Sequence, residues 1–230
     1  MQLYIGNKNY SSWSMRPWLV MKHFNLHFEE HWVAFDDFAA DEAFKQRMSS
    51  ISPSGKVPTL LDQNLVIWDS LAICEYLAEQ FPEKHLWPTD RVQRVRARCI
   101  SAEMHSGFTT LRQYCGMNIE ADLSFIGGKL WTDLPALVKE VARIEQIWAE
   151  RPSLDGFLCG DFSIADAFYA PVVMRLLSYG LPVSEQAQHY MQTMLANPAV
   201  KEWITEARAE KQFVQRQEVY RQHGEQFLRL

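Results

Sequence analysis

Two adjacent hydroxyls, Ser11 and Ser12, stand in NYSSWSMRPWL at residues 9–19, between a short apolar run, LYIG, and a stretch with helical spacing. A loop that leaves a first strand and enters a helix presents unpaired backbone N–H groups and the positive end of the helix dipole, which stabilise anions. Two readings are open. One serine caps the helix, contributing about 1 kcal/mol, and the others are solvated. Alternatively, a serine hydroxyl donates a hydrogen bond to a bound thiolate, which requires a second site nearby for the rest of the molecule that carries the thiol.

SGKVPT at 54–59 offers such a site. A Val57–Pro58 bond after a glycine turn can be cis, since X–Pro is nearly the only bond where that form costs little. The Val57 N–H and C=O are then free to pair with an extended peptide, as an added strand would. Lys56 can meet a carboxylate or simply stand exposed on the turn. Asp69 and Ser70, between LVIW and LAICEYL, are first of all helix-capping residues. A serine and free N–H groups at a helix start also bind a carboxylate, and the neighbouring aspartate accepts from an ammonium group. In the second half, Ser163 and Asp166 of FSIADAF have capping-box spacing and read as structural. EMHSGFTTLRQYCGMN at 103–118 reads as a helix with a core face and a solvated one, with His105 satisfied by a neighbour.

The elements that must position these residues follow from periodicity. QLYIG, HFEEHWVAF, TLL and LVIW read as strands; Met15–Phe24, DEAFKQRMSSI and SLAICEYLAEQF read as helices. The order βαβαββα is that of an α/β unit. Prolines 82 and 88 then interrupt the pattern, and helical spacing recurs over 91–115, 134–150, 163–179, 185–196 and 199–210. The chain divides into an α/β domain over 1–80, a linker over 81–90 and an all-α helical domain over 91–230, whose polar tail from Lys211 is a packed or frayed extension.

Composition narrows the function. With 230 residues, 47% of them hydrophobic, the chain can bury a sizeable core, and a net charge of −5 without any basic block leaves no footprint for nucleic acid or an anionic membrane. No apolar stretch approaches the ~20 residues of a membrane-spanning helix, and MQLYIGNKNY lacks signal-peptide character; a cytoplasmic protein is expected. Cys74, Cys99, Cys115 and Cys159 show no CxxC or metal-ligand spacing, so reduced thiols and no metal are expected. The absence of cysteine from 9–19 disfavours a redox thioltransferase.

SSWSMRPWL, SPSGKVPTL, DSLAICEYL and GDFSIADAF, in this order and spacing, resemble the cytosolic glutathione transferase family over essentially the whole chain. The first motif is similar to the SSC-x-x-R motif of the zeta-like, maleylacetoacetate isomerase-like branch, with Trp13 in place of its cysteine. The resemblance implies an α/β thioredoxin-like N-terminal domain followed by an all-α helical C-terminal domain, glutathione as co-substrate, and usually a homodimer. It implies Ser11, with Ser12 as the close alternative, at the glutathione sulfur, and Arg16 as the motif's arginine. Val57 falls on the cysteinyl part, Lys56 by the glycine end, and Asp69 and Ser70 at the γ-glutamyl group. His105, Phe108 and Arg112 fall on the side of the small electrophile. The implied activity is serine-type glutathione transfer in detoxification; a zeta-type isomerase and a non-catalytic binding protein on the same fold are the alternatives.

Overall fold

Leu3 and Ile5 alternate with Gln2 and Tyr4, and this period-two pattern buries one face of the first strand, β1 (Gln2–Ile5). The computed structural model describes residues 1–35 and 41–221. After β1 come α1 (Ser12–His23), β2 (Glu29–Trp32), α2 (Asp41–Ile51), β3 (Thr59–Asp62), β4 (Leu65–Trp68) and α3 (Ser70–Gln80). β2 lies parallel to β1, with Ile5 opposite Trp32, and β3 and β4 are antiparallel, giving the sheet order β2-β1-β3-β4. This is the βαβαββα order that the sequence pattern predicts, in the thioredoxin-like arrangement that the resemblance implies. The seven helices that follow are α4 (Arg91–Ser106), α5 (Thr109–Tyr114), α6 (Ser124–Asp133), α7 (Pro135–Ala149), α8 (Ile164–Ser178), α9 (Glu185–Ala196) and α10 (Pro198–Ala209). Among the described residues, no helix is long and apolar enough to cross a membrane.

The helical half departs from its sequence pattern twice. The helical spacing over 91–115 breaks at Gly107 and Phe108, where Phe108 takes φ 52°. The Glu140 carboxylate of α7 accepts the Thr110 and Leu111 N–H groups at 3.0 and 2.7 Å, so a distant side chain starts α5. α6 has no counterpart in the sequence reading, because Gly127 and Gly128 in its interior weaken helix propensity.

Helix α8 is buried nearly all round and packs on α1 and α4, which brings the start of the chain against the centre of the helical domain. Its start is the expected capping box: Ser163 Oγ accepts the Ala165 N–H, and Asp166 accepts the Ser163 N–H at 3.0 Å. Trp18 and Trp203 meet edge-to-face at 5.1 Å, joining the two halves, and Lys8 lies over both rings. The buried Lys8 ammonium is neutralised by Glu30 and Glu206. All four cysteines are free; Cys74, Cys115 and Cys159 are buried and Cys99 is exposed.

Candidate functional site

The loop between β1 and α1 is fastened by residues far along the chain. Gln212 accepts from the Asn7 amide at 2.6 Å, Glu210 accepts the Lys8 N–H at 2.6 Å, and the Tyr10 hydroxyl donates to Glu218 at 2.6 Å. Glu218 is buried and also pairs bidentately with Arg221. On this loop Ser11 occupies the N-cap position of α1 but makes no capping bond with its side chain. Its hydroxyl donates to Ser14 Oγ at 2.7 Å, and Ser14 Oγ also accepts the Gly6 N–H at 3.2 Å. Ser12 Oγ accepts from Arg175 Nη2 of α8 at 3.1 Å. Both serines are buried rather than solvated, and neither is the capping side chain that the simpler reading expects.

Trp13 and Arg16 build the next layer. The Arg16 guanidinium stacks on Trp13 at 4.1 Å and Phe168 at 4.6 Å, and Arg112 approaches the Trp13 ring at 5.0 Å. Arg16 Nη1 reaches Ser70 Oγ and His105 Nδ1, each at 3.5 Å. Because a guanidinium only donates, His105 Nδ1 accepts and its Nε2 carries the proton toward Asp69 Oδ2, 3.3 Å away. Burial, with Arg16 and Arg112 nearby, outweighs Asp69 and lowers the His105 pKa, so the ring is neutral at pH 7. Burial, then Arg175 and Arg112, pulls Arg16 down to about 9, and it remains a cation at neutral pH. Its Nε has no partner among the described residues. Arg112 donates to the His105 and Gly107 carbonyls, closing the end of α4.

Asp69, at φ 74°, caps α3 by accepting the Leu71 and Ala72 N–H groups at 2.8 and 3.4 Å. The capping expectation therefore holds. The buried Ser70 accepts from Arg16 and keeps its own proton available to a ligand. Opposite them the Val57–Pro58 bond is cis, and neither Val57 N–H nor C=O bonds to another described residue. A cleft of about 390 Å³ is lined by Val57, Pro58, Asp69 and Ser70 together with Trp13 and Lys56. A second, of about 330 Å³, is lined by Tyr10, Ser11, Ser12, Met117 and Arg175 and shares Trp13, Lys56 and Val57 with the first.

Eight of the ten residues singled out in the sequence thus border these clefts or the layer beneath: Ser11, Ser12, Arg16, Lys56, Val57, Asp69, Ser70 and His105. Arg112 meets the layer through the Trp13 ring and the His105 carbonyl, lining neither cleft, and Phe108 is buried in the core and lines neither cleft. Sequence reasoning missed Arg175 and Ser14. The signal for Arg175 is a lone cation inside the apolar run APVVMRLLSY. Among the described residues, no group of His, Cys, Asp and Glu side chains is placed to hold a metal ion.

The family profile described as "Glutathione S-transferase, N-terminal domain" matches residues 10–80, and the one described as "Glutathione S-transferase, C-terminal domain" matches residues 129–206. The chain is 26% identical over 156 residues to a stringent starvation protein A homolog of Pasteurella multocida, covering 67% of this chain and 69% of that protein. It is 38% identical over 109 residues to a probable maleylacetoacetate isomerase of Caenorhabditis elegans, covering 47% of this chain and about half, 48%, of that protein. A solved structure of a glutathione transferase homolog from Burkholderia, with bound glutathione, superposes with a TM-score of 0.64 at 26% identity, covering 90% of this chain and 97% of that one.

Proposed function

The chain belongs to the glutathione S-transferase family through both its N-terminal and its C-terminal domain, and from that premise we propose that it binds glutathione across the two joined clefts and transfers it to a small electrophile. The observation that carries this reading is the unpaired Val57 backbone in one cleft with Asp69 and Ser70, beside a second cleft that holds the serines and shares Trp13, Lys56 and Val57 with the first. Each part of a γ-glutamyl tripeptide has a counterpart there. Asp69 accepts from its ammonium group, Ser70 donates to its α-carboxylate, the Val57 N–H and C=O pair with the cysteinyl amide, and Lys56 meets the glycine carboxylate. The boundary is taken across 81–90, with glutathione held by the first domain and the electrophile side formed with the second, where His105 and Arg112 stand.

Bound glutathione supplies a sulfur nucleophile once its thiol ionises. A free thiol of pKa ~8.5 is only a few per cent thiolate at neutral pH, and donors at a helix N-terminus lower that value. Serine is far too weak an acid to serve as the base; the hydroxyl acts as donor, and the buried cations Arg16 and Arg175 favour the anion through space. Calorimetric titration with reduced glutathione tests the reading: saturable binding is expected, and Ser70→Ala should weaken it about tenfold, the worth of one hydrogen bond to a charged group. No heat and no change in tryptophan fluorescence at millimolar glutathione would remove it.

A non-catalytic role is the second reading, favoured by the similarity to the stringent starvation protein A homolog. It predicts glutathione binding without turnover of a generic aryl halide. A zeta-type isomerase predicts turnover of a cis-dienone; at the position where that motif has a cysteine, Trp13 contributes an aromatic wall and no thiol. We also propose a cytoplasmic homodimer. The groove between β4 and α3, with exposed Val66 and Trp68, lies beside α4, which Arg98 ties to Glu75 of α3 and which exposes Val92 and Val95. Sedimentation at micromolar concentration should give twice the chain mass, and Trp68→Glu with Val92→Glu should give the monomer.

A further inference from the structure

The direction of two hydrogen bonds distinguishes the two serines. Ser11 gives its proton to Ser14 Oγ. Ser12 Oγ instead receives one from Arg175, and a guanidinium has no lone pair to accept one back, so the Ser12 proton is the one left to donate. It faces the cleft that Arg175 and Val57 also line. We propose that Ser12 and Arg175 form the thiolate-stabilising pair of this protein, with Ser12 donating directly to sulfur and Arg175 the positioning residue that orients and polarises the Ser12 hydroxyl.

The charge inventory points the same way independently. Arg175 is 6% exposed, and its other named partner is the Cys115 carbonyl; its Nε has no partner among the described residues. Lys8 is neutralised by Glu30 and Glu206 and Arg221 by Glu218, whereas Arg175, like Arg16 and Arg151, has no carboxylate ion-pair partner among the described residues. The titratable groups facing Arg175 are Cys115, Tyr179, Arg112 and Arg16, with Tyr10 and Lys56 along the cleft. Burial pushes the Cys115 thiol up to about 12 and the Tyr179 and Tyr10 hydroxyls higher, so none of them is an anion at neutral pH. A buried cation without a counter-charge is costly, and a thiolate in this cleft supplies the missing charge. On binding, the S–H bond of glutathione breaks, its electron pair stays on sulfur and accepts the Ser12 O–H, and its proton passes to water.

This inference rests on the reading that glutathione occupies these clefts, and the experiment separates the two. The ultraviolet absorbance of the thiolate is titrated against pH for bound glutathione, and S-methylglutathione, which has no thiol to ionise, reports binding by calorimetry. Ser12→Ala and Arg175→Gln should each raise the ionisation midpoint by about one to two pH units, with S-methylglutathione affinity within about threefold of the parent. Ser11→Ala should raise the midpoint less than Ser12→Ala, and Arg175→Lys should restore part of the shift. If Arg175→Gln does not fold, the contrast between Ser12→Ala and Ser11→Ala decides. Unshifted midpoints in Ser12→Ala, or a larger shift in Ser11→Ala, with binding intact, would overturn the pair alone; a parent protein that binds neither ligand would overturn the function reading with it.

Discussion

Asp166→Ala is expected to destabilise the protein by about 3–5 kcal/mol in urea unfolding, the range for removing one partner from a buried charged network. The Asp166 carboxylate is completely buried and accepts four hydrogen bonds: from the Leu158 N–H at 2.9 Å and the Tyr190 hydroxyl at 3.0 Å on one oxygen, and from the Ser163 N–H and hydroxyl at 3.0 and 3.2 Å on the other. Alanine leaves two backbone donors without an acceptor and opens a void under α8. Burial outweighs the four donors and lifts the Asp166 carboxyl from 3.8 to about 6. Between those values the folded chain holds more proton on this group than the unfolded chain does, so its contribution to stability falls as pH rises from about 4 to about 6. The stability gap between parent and Asp166→Ala should therefore widen as pH is lowered through that window. A gap that narrows there, or a cost under 1 kcal/mol at pH 7, would show that the network does not anchor the helix.

Gly127 and Gly128 should respond to alanine with opposite signs. A Cβ on Gly127 would lie 1.7 Å from the Tyr179 carbonyl oxygen and 2.7 Å from its carbon. Both are backbone atoms, so α6 would have to lift off the end of α8, stretching the Leu123 N–H to Ser178 carbonyl bond of 2.7 Å. Overpacking of this kind costs about 1–3 kcal/mol and more where the obstacle cannot turn aside. Gly128 has nothing within 4 Å of its Cβ position. Gly128→Ala should stabilise by about 0.5–1 kcal/mol through helix propensity alone. Paired thermal melts check both at once: one midpoint should fall and the other rise.

The same glycines show why α6 escapes a reading of the sequence. Gly127 weakens the local helix signal so that two helices can approach, and that benefit lies 52 residues away at Tyr179. The break between α4 and α5 is obscured in the same manner, since the carboxylate that starts α5 is Glu140. By contrast, β1, β3, β4 and α3 declare themselves, because a half-buried strand or an amphipathic helix is a local pattern. The candidate site divides along this line. Lys56, Val57, Asp69 and Ser70 stand at turns and helix starts, positions that a few neighbouring residues define. The partners of the serines are less accessible to such reading: Ser14 is three residues from Ser11, yet spacing suggested a cap, and Arg175 is 163 residues from Ser12. Phe108 resembles a pocket aromatic in sequence and is spent on the core because its left-handed backbone turns the chain there.

The fastening of the first loop has a consequence for biosynthesis. Asn7, Lys8 and Tyr10 are held by Gln212, Glu210 and Glu218, residues made some two hundred codons later. On the ribosome the thioredoxin-like half can fold early, its sheet and helices complete by Gln80. Its serine loop waits, half-anchored, until α10 and the segment as far as Glu218 have emerged. Assembly of the cleft is thereby deferred until residues 210–218 have been translated, some two hundred residues after the loop itself.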